Sequence, residues 1–417
     1  MIDARADGDS QVKQPVILGD ANRRSTVLLF LRRVDCNDGV ASYCETMVKG
    51  LNARGHRVVI VSGPVTQLYG SAARHDAILE NTLEWVTIDD LITARPKLST
   101  IRSVLATIRK HSVDVISPQG FSLIPLSYLL ARLARLPVVA NYHPSMHGAS
   151  ADMVATSRSL KMRLGYKAIA KLCRADRFIA ISKEIVAFFR KDCEISEGRI
   201  AYIPHGIDMS FFRPPTQSER ESARRALSLP ESALVCVLPG RISFVKGHDI
   251  VIDAVRILRK TKPALDVVCL FPGGAGADAP EIQSYALKTD ADIAAFRFLG
   301  FLYANAFREC YWAADIVLLP SRFEGFGLVI AEAMSCGCVP IRTPSGGSED
   351  QIVDDVNGFL IPFNDPQALA DRIAALSEPS VKARMRENAL SYATQHFDQE
   401  AMVAATSDLY QRAVGVP

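Results

Sequence analysis

The stretch IVLLPSRFEGFGLVIAEAMSCGCVPIRTPSGGSED, residues 316 to 350, decides the fold. Ile316 to Leu319 form an apolar run of strand length, Gly325 and Gly327 break the chain just behind it, and a helical pattern starts at Leu328. A strand, a glycine-broken loop and a helix in that order aim a helix N-terminus beyond the strand's carboxyl end, with its unpaired amides and the positive end of its dipole. The glycines let the backbone approach a ligand closely. Glu324 stands in the loop, and Glu332, eight residues on, about one turn inside the helix. An isolated pair at this spacing is ordinarily a loop residue and an exposed helical residue. Beside an anion-binding helix start, the pair suits a ligand that is both anionic and rich in hydroxyls.

On either side of this stretch the chain keeps the same rhythm of strand, loop and helix. Strand-like runs at Leu234 to Leu238, Asp266 to Phe271, Phe296 to Leu299 and Val339 to Ile341 make one series with Ile316 to Leu319. An earlier series comprises Val27 to Leu31, Arg57 to Val61, Val113 to Ile116, Pro137 to Asn141, Arg177 to Ile181 and Ile200 to Ile203. Amphipathic helical stretches such as Ala41 to Arg54 and Ser122 to Leu136 separate them. Such alternation predicts an α/β fold with parallel sheets covered on both faces. The Pro- and Gly-containing segment Ile203 to Pro215 divides the two series and is the expected linker. Ligands of open α/β sheets bind at the carboxyl ends of the strands, so a cleft between two facing domains is the expected site.

Composition sets outer bounds on function. At 417 residues the chain has room for two or three domains, and 48% hydrophobic with 22% charged residues describes an ordinary globular protein. A formal net charge of +3 argues against a nucleic-acid partner. The nine cysteines lack the paired spacing of a zinc site and read as small core residues of a reducing compartment. Residues 1 to 24 are polar and mixed in charge, which suggests a disordered leader rather than an export signal, and no apolar run is long enough to span a bilayer. A cytoplasmic location follows.

Several motifs carry chemistry. Arg241 and Lys246 flank the loop after Leu234 to Leu238, a guanidinium fork and a point charge suited to a diphosphate. His143 closes the strand Pro137 to Asn141 and is expected at the cleft. Gly274 to Ala279 loosely fits a dinucleotide fingerprint, which would favour an NAD-dependent oxidoreductase, but the fit is loose and sits late in the chain. Asp290-Ala291-Asp292 has the form of a metal motif, yet lies in a polar, helical, Ala-rich stretch and reads as a solvated face.

The ordered set of these motifs resembles the retaining family-four glycosyltransferases of the GT-B fold, in which two Rossmann-like domains face each other. The resemblance rests on Asn37-Asp38-Gly39-Val40-Ala41, Arg54 to Val58, Asn141-Tyr142-His143, Ile179 to Ser182, Ile203 to Asp208, Pro239-Gly240-Arg241 with Lys246-Gly247, the Glu324 to Glu332 block, Ser345 to Glu349, and Asn357 to Leu360, over roughly residues 26 to 410. It implies an acceptor-side domain over 25–213, a nucleotide-sugar domain over 214–396, and a last helix within 397–417 that returns to the first domain. It implies transfer of a hexosyl group from a nucleoside-diphosphate sugar, a UDP-sugar ahead of GDP-mannose, to a hydroxyl of a glycan, lipid-linked saccharide or small molecule. No metal or other cofactor is implied, because cations and helix dipoles take the charge of the leaving group.

Residue by residue, the resemblance makes Glu324, His143, Arg241 and Lys246 the catalytic set. The donor would be held by Gly39, Gly273, Phe301, Gly325, Phe326, Gly327, Leu328 and Glu332 besides Arg241, Lys246 and Glu324, with Glu332 on the ribose. Asp38 and His143 would face the acceptor; the family more often has two glycines where this chain has Asp38-Gly39. Two alternatives stand beside this reading: a catalytically silent nucleotide-sugar-binding protein, and a phosphorylase or epimerase on the same fold. Between residues 156 and 191 there are ten Lys or Arg against Asp176 and Glu184, with Arg163, Lys167, Lys171 and Arg174 on one helical face. That face suggests peripheral contact with anionic lipid at the inner side of a membrane.

Overall fold

The computed structural model describes residues 25–32, 34–35, 39–66, 72–92, 97–143 and 160–415. The expected leader and Asp38 lie outside these residues. Two parallel sheets organise the chain. The first runs in the order Glu84–Thr87, Arg57–Ser62, Thr26–Leu31, Val115–Pro118. Single bridges from Ile116 to Val138 and from Gln119 to Asn141 join it to Val139–Tyr142, Arg177–Ala180 and Ile200–Tyr202. The second has six strands in the order Phe296–Gly300, Val267–Pro272, Leu234–Val237, Ile316–Leu319, Val339–Arg342, Phe359–Leu360. All of these pairings are parallel.

Apolar composition fixes which strands are central. Thr26–Leu31, Val115–Pro118, Leu234–Val237 and Ile316–Leu319 are buried along their whole length, as strands covered by helices on both faces must be. Two of the expected strands start two residues later than the apolar runs suggest, at Val115 and Val139. The edge strands Glu84–Thr87 and Phe359–Leu360 carry too weak a pattern to be read from sequence, being half-exposed or only two residues long.

The chain passes between the two sheets twice, at neighbouring points. The first passage is the expected linker, where Ile207 N–H donates to the Phe397 carbonyl at 2.8 Å and the Ile207 carbonyl accepts from Gln399 N–H at 3.2 Å. Gly206 is needed there, because a Cβ would collide with the Asp398–Gln399 backbone. The second passage is Phe397–Asp398, after which the helix Gln399–Ala413 packs on the first sheet's side of the molecule. Asp398 caps that helix by accepting from the Glu400 and Ala401 amides. Tyr410 O–H donates to Ser117 Oγ at 2.9 Å, and His56 Nε2 meets Ser407 Oγ at 2.7 Å. Among the described residues, no helix is long and apolar enough to cross a membrane.

Candidate active site

The strand Ile316–Leu319 delivers its carboxyl end to the loop of Glu324, and the helix Leu328–Ser335 starts directly behind Gly327. Lys246 comes from the other side. Its ammonium sits 2.6 Å from Glu324 Oε2, so sequence positions 78 apart form one ion pair. Two features force this meeting. Gly247 takes a left-handed conformation, φ +78°, pressed against the Pro320 carbonyl where a Cβ has no room. Arg322 clamps the two loops together: its guanidinium holds both Asp249 carboxylate oxygens, at 2.8 and 2.7 Å, and also reaches the Phe244 carbonyl.

Burial pushes the Glu324 carboxyl up, but Lys246, its hydrogen bond, Arg342 and the Gly325 amide together outweigh it and hold the group below its ordinary value. Glu324 is therefore an anion at neutral pH. Glu332 behaves differently. It is buried one turn into the helix, where Tyr311 O–H donates to its Oε2 at 2.8 Å. Burial raises its pKa to about 7, against the opposing effects of that hydrogen bond and of Arg74.

Arg241 is exposed, and among the described residues its guanidinium makes no ion pair. Gly273 packs tightly on the Gly240 carbonyl, and the loop from Gly273 to Gly276 is laced to 240–242 through Ile242 N–H to the Gly274 carbonyl at 3.0 Å. Those glycines thus have a packing role of their own, and no nicotinamide is needed to explain them. Asp290-Ala291-Asp292 is helical as expected, but Asp292 is buried rather than solvated. Its carboxylate joins Arg259 at 2.6 Å and Arg256 at 3.5 Å, a structural ion pair that pins the helix Asp290–Ala295 to its neighbour.

The first domain meets this loop with a neutral wall. The His143 carbonyl lies against Gly325, and Gly39 lies beside Leu328. His143 Nε2 is 2.9 Å from Gln119 Oε1, and its Nδ1 is 3.4 Å from His205 Nε2. An amide oxygen accepts only, so His143 carries its proton on Nε2 and accepts through Nδ1 from His205. The two imidazoles stack at 5.3 Å with 8° between planes, and Tyr43 meets both edge-on or tilted. Burial lowers the His143 pKa to about 4 and drives His205 well below its ordinary value. Both rings stay neutral at physiological pH. Both His143 nitrogens are thus taken by protein partners.

The sequence alone does not mark Tyr311, Arg322, Gln119 or Arg342 as site residues, and it offers His205 only within the motif Ile203 to Asp208. Tyr311 and Gln119 sit 21 and 24 positions from the groups they hold, so no local spacing exposes them. Arg342 alone left a sign, a cation ending the apolar strand Val339–Arg342.

The family description "Glycosyltransferase Family 4" matches residues 37–211, and "Glycosyl transferases group 1" matches residues 219–394. Each half of the chain thus matches a glycosyltransferase domain model, the two together spanning most of its length. The D-inositol 3-phosphate glycosyltransferase of Corynebacterium urealyticum is 32% identical over 226 residues, covering 53% of this chain and 52% of the relative. That of Xylanimonas cellulosilytica is 30% identical over 253 residues, covering 57% and 59%. The matches thus span little more than half the length of these relatives. Among solved structures, a glycosyltransferase of Rickettsia africae superposes with a TM-score of 0.74 at 19% identity, over 94% of this chain and 99% of that one. Anabaena HepE, solved in complex with UDP, gives 0.73 at 22%, over 92% and 99%. These likenesses establish the GT-B fold.

Proposed function

We propose that this glycosyltransferase moves a hexosyl group from a nucleoside-diphosphate sugar to a hydroxyl acceptor with retention at the anomeric carbon. The observation that carries the reading is the Lys246–Glu324 pair at 2.6 Å, set at the mouth of the helix Leu328–Ser335 with Glu332 one turn inside. A sugar diphosphate would exchange into this pair. Its leaving phosphates take Lys246, Arg241 and the amides after Gly325, its sugar hydroxyls take Glu324, and its ribose takes Glu332. UDP is the first nucleotide to test, because Anabaena HepE binds UDP on the same fold.

The reaction read here is front-face substitution. The bond from the anomeric carbon to the phosphate oxygen breaks, the acceptor oxygen bonds to the same face, and the leaving phosphate takes the acceptor's proton. Glu324 is held through Lys246 and the Gly325 amide, suited to sugar hydroxyls rather than to attack on the anomeric carbon. Catalysis then comes from positioning and from cations that stabilise the growing phosphate charge, with no divalent ion required. The neutral His143 and Gln119 wall adds no charge beside the sugar.

The decisive measurement is a thermal-shift panel of UDP, GDP, ADP and their sugar conjugates, with and without chelator. A ligand at a hundred times its dissociation constant stabilises by about 2.7 kcal/mol. Stabilisation by one sugar nucleotide, undiminished by chelator, supports the reading; no response to any of them overturns it. Product stereochemistry, read by NMR of the new anomeric centre, tests retention separately.

A further inference from the structure

The three peptides that follow Gly325 have their carbonyls held by one segment of chain, residues 342 to 351. The Gly325 carbonyl accepts from Gly347 N–H at 2.9 Å, that of Phe326 from Arg342 Nη1 at 3.3 Å, and that of Gly327 from Gln351 Nε2 at 3.1 Å. In a trans peptide the amide N–H points opposite to the carbonyl of the same plane. The N–H groups of Phe326, Gly327 and Leu328 are therefore turned away from that segment; from the first domain the His143 carbonyl lies against Gly325 and Gly39 beside Leu328. Among the described residues none of these three amides donates to a protein acceptor.

The residue beneath them is unusual. Arg342 is wholly buried and forms no carboxylate ion pair among the described residues. Its remaining donors go to Gln351 Oε1 and to the Ser345 and Thr343 carbonyls. Gln351 is itself fixed, because its carbonyl accepts from Asn357 Nδ2 at 3.1 Å. Burial of this cation carries a desolvation cost; its hydrogen bonds go to neutral oxygens, and the carboxylates of Glu324, Asp350 and Glu184 offset part of that cost through space without an ion-pair contact. The same low-dielectric surroundings carry its field to the loop above.

We infer that Arg342 and Gln351 are positioning residues for the diphosphate: they pull the 326 and 327 carbonyls downward so that a row of amides faces the cleft, and Arg342 adds a positive charge beneath the row without touching the ligand. The inference rests on the donor reading above. Its signature is selective, since it bears on the phosphates and not on the nucleoside.

The test compares a nucleoside diphosphate with its nucleoside, UDP against uridine or GDP against guanosine, whichever diphosphate the wild-type chain binds more tightly. Affinities come from calorimetry, with circular dichroism and thermal melts to establish folding. Arg342→Met should reduce the preference for the diphosphate by about tenfold or more, the scale of a lost charged hydrogen bond, while nucleoside affinity stays within about twofold. Arg342→Lys, which keeps the charge but not the fork, should fall between. If Arg342→Met does not fold, Gln351→Met carries the test, since it removes one brace and keeps the cation; the same preference should drop several-fold. A folded variant that retains the wild-type preference overturns the inference and leaves the donor reading standing. A wild-type chain that binds neither diphosphate better than its nucleoside overturns the donor reading, and the inference with it.

Discussion

The two walls of the cleft solve different problems. On the second domain, charges meet in pairs and are braced from below: Lys246 on Glu324, Arg322 on Asp249, Arg342 under the loop. On the first domain, the groups against Gly325 are neutral and satisfy one another, His143 between Gln119 and His205 with Tyr43 across both rings, while the charged pair Arg74–Glu45 meets the second domain at Tyr303. One wall carries paired charges, while the other is uncharged where it meets the Glu324 loop.

The contrast breaks most visibly at Lys246. Lys246→Ala should lower kcat by roughly a hundredfold, the scale of losing one donor to a developing oxyanion, with a much smaller change in donor KM. Equal kcat in steady-state assays would show that the charged wall does not stabilise the leaving group.

A second measurement concerns Glu332, the one carboxyl on that wall that burial holds up to about 7. Glu332→Ala should weaken nucleotide binding by about 1 to 3 kcal/mol, and unchanged calorimetric affinity for the nucleoside diphosphate would refute its role. The raised value also sets a sign. The free protein holds the proton below about pH 7, and binding through a carboxylate must release it. Donor affinity should therefore fall as pH drops below 7, by up to about tenfold per unit, and level off above it. Tyr311→Phe removes the hydrogen bond that lowers this pKa, so its plateau should begin at higher pH.

The neutral wall makes the opposite claim. With the His143 pKa lowered to about 4, imidazole NMR shifts of His143 should stay constant from pH 6 to 8. Gln119→Leu strands the His143 N–H and should cost about 1 to 3 kcal/mol in thermal stability without altering the pH profile of donor binding. A titration near 6.5 would erase the distinction between the walls.

The smallest effect is expected at the basic helix Leu160–Leu172. Lys167 and Lys171 are both engaged by Glu194, which leaves less charge for lipid than the sequence suggests, although Leu164 and Leu172 are 56% and 73% exposed. Co-sedimentation should show weak binding to anionic vesicles that vanishes at high salt, and equal, negligible binding to anionic and neutral vesicles would remove the membrane from the picture.

The sequence was most readable where chemistry and local pattern coincide. The run from Ile316 to Glu332 showed its strand, its loop and its helix start because apolar periodicity and glycine placement both act within a few residues. Lys246 could be proposed as a phosphate ligand, but its pairing with Glu324 depends on Gly247 packing beneath Pro320, a contact between distant segments. Asp292 reads as solvated in sequence for the same reason: the partners that bury it, Arg256 and Arg259, lie on a different helix. The amide-orienting role of Arg342 lies furthest from local pattern, because it depends on which way peptide planes face, and side-chain identity does not encode that directly.

The two neighbouring passages of chain between the sheets, at Ile207 and at Phe397–Asp398, have a mechanical consequence. A pair of bodies joined by one strand can swivel freely; joined by two strands laced at one spot, they share a pinned pivot and swing like a door on its jamb. Asp350 stands close to that jamb. It grips the Lys183 amide and the Tyr202 hydroxyl of the first domain, one residue before Gln351. Asp350 thus ties the first domain to the residue next to Gln351, whose side-chain amide holds the Gly327 carbonyl, so the lacing between the domains and the support of the Glu324 loop share one short segment of chain.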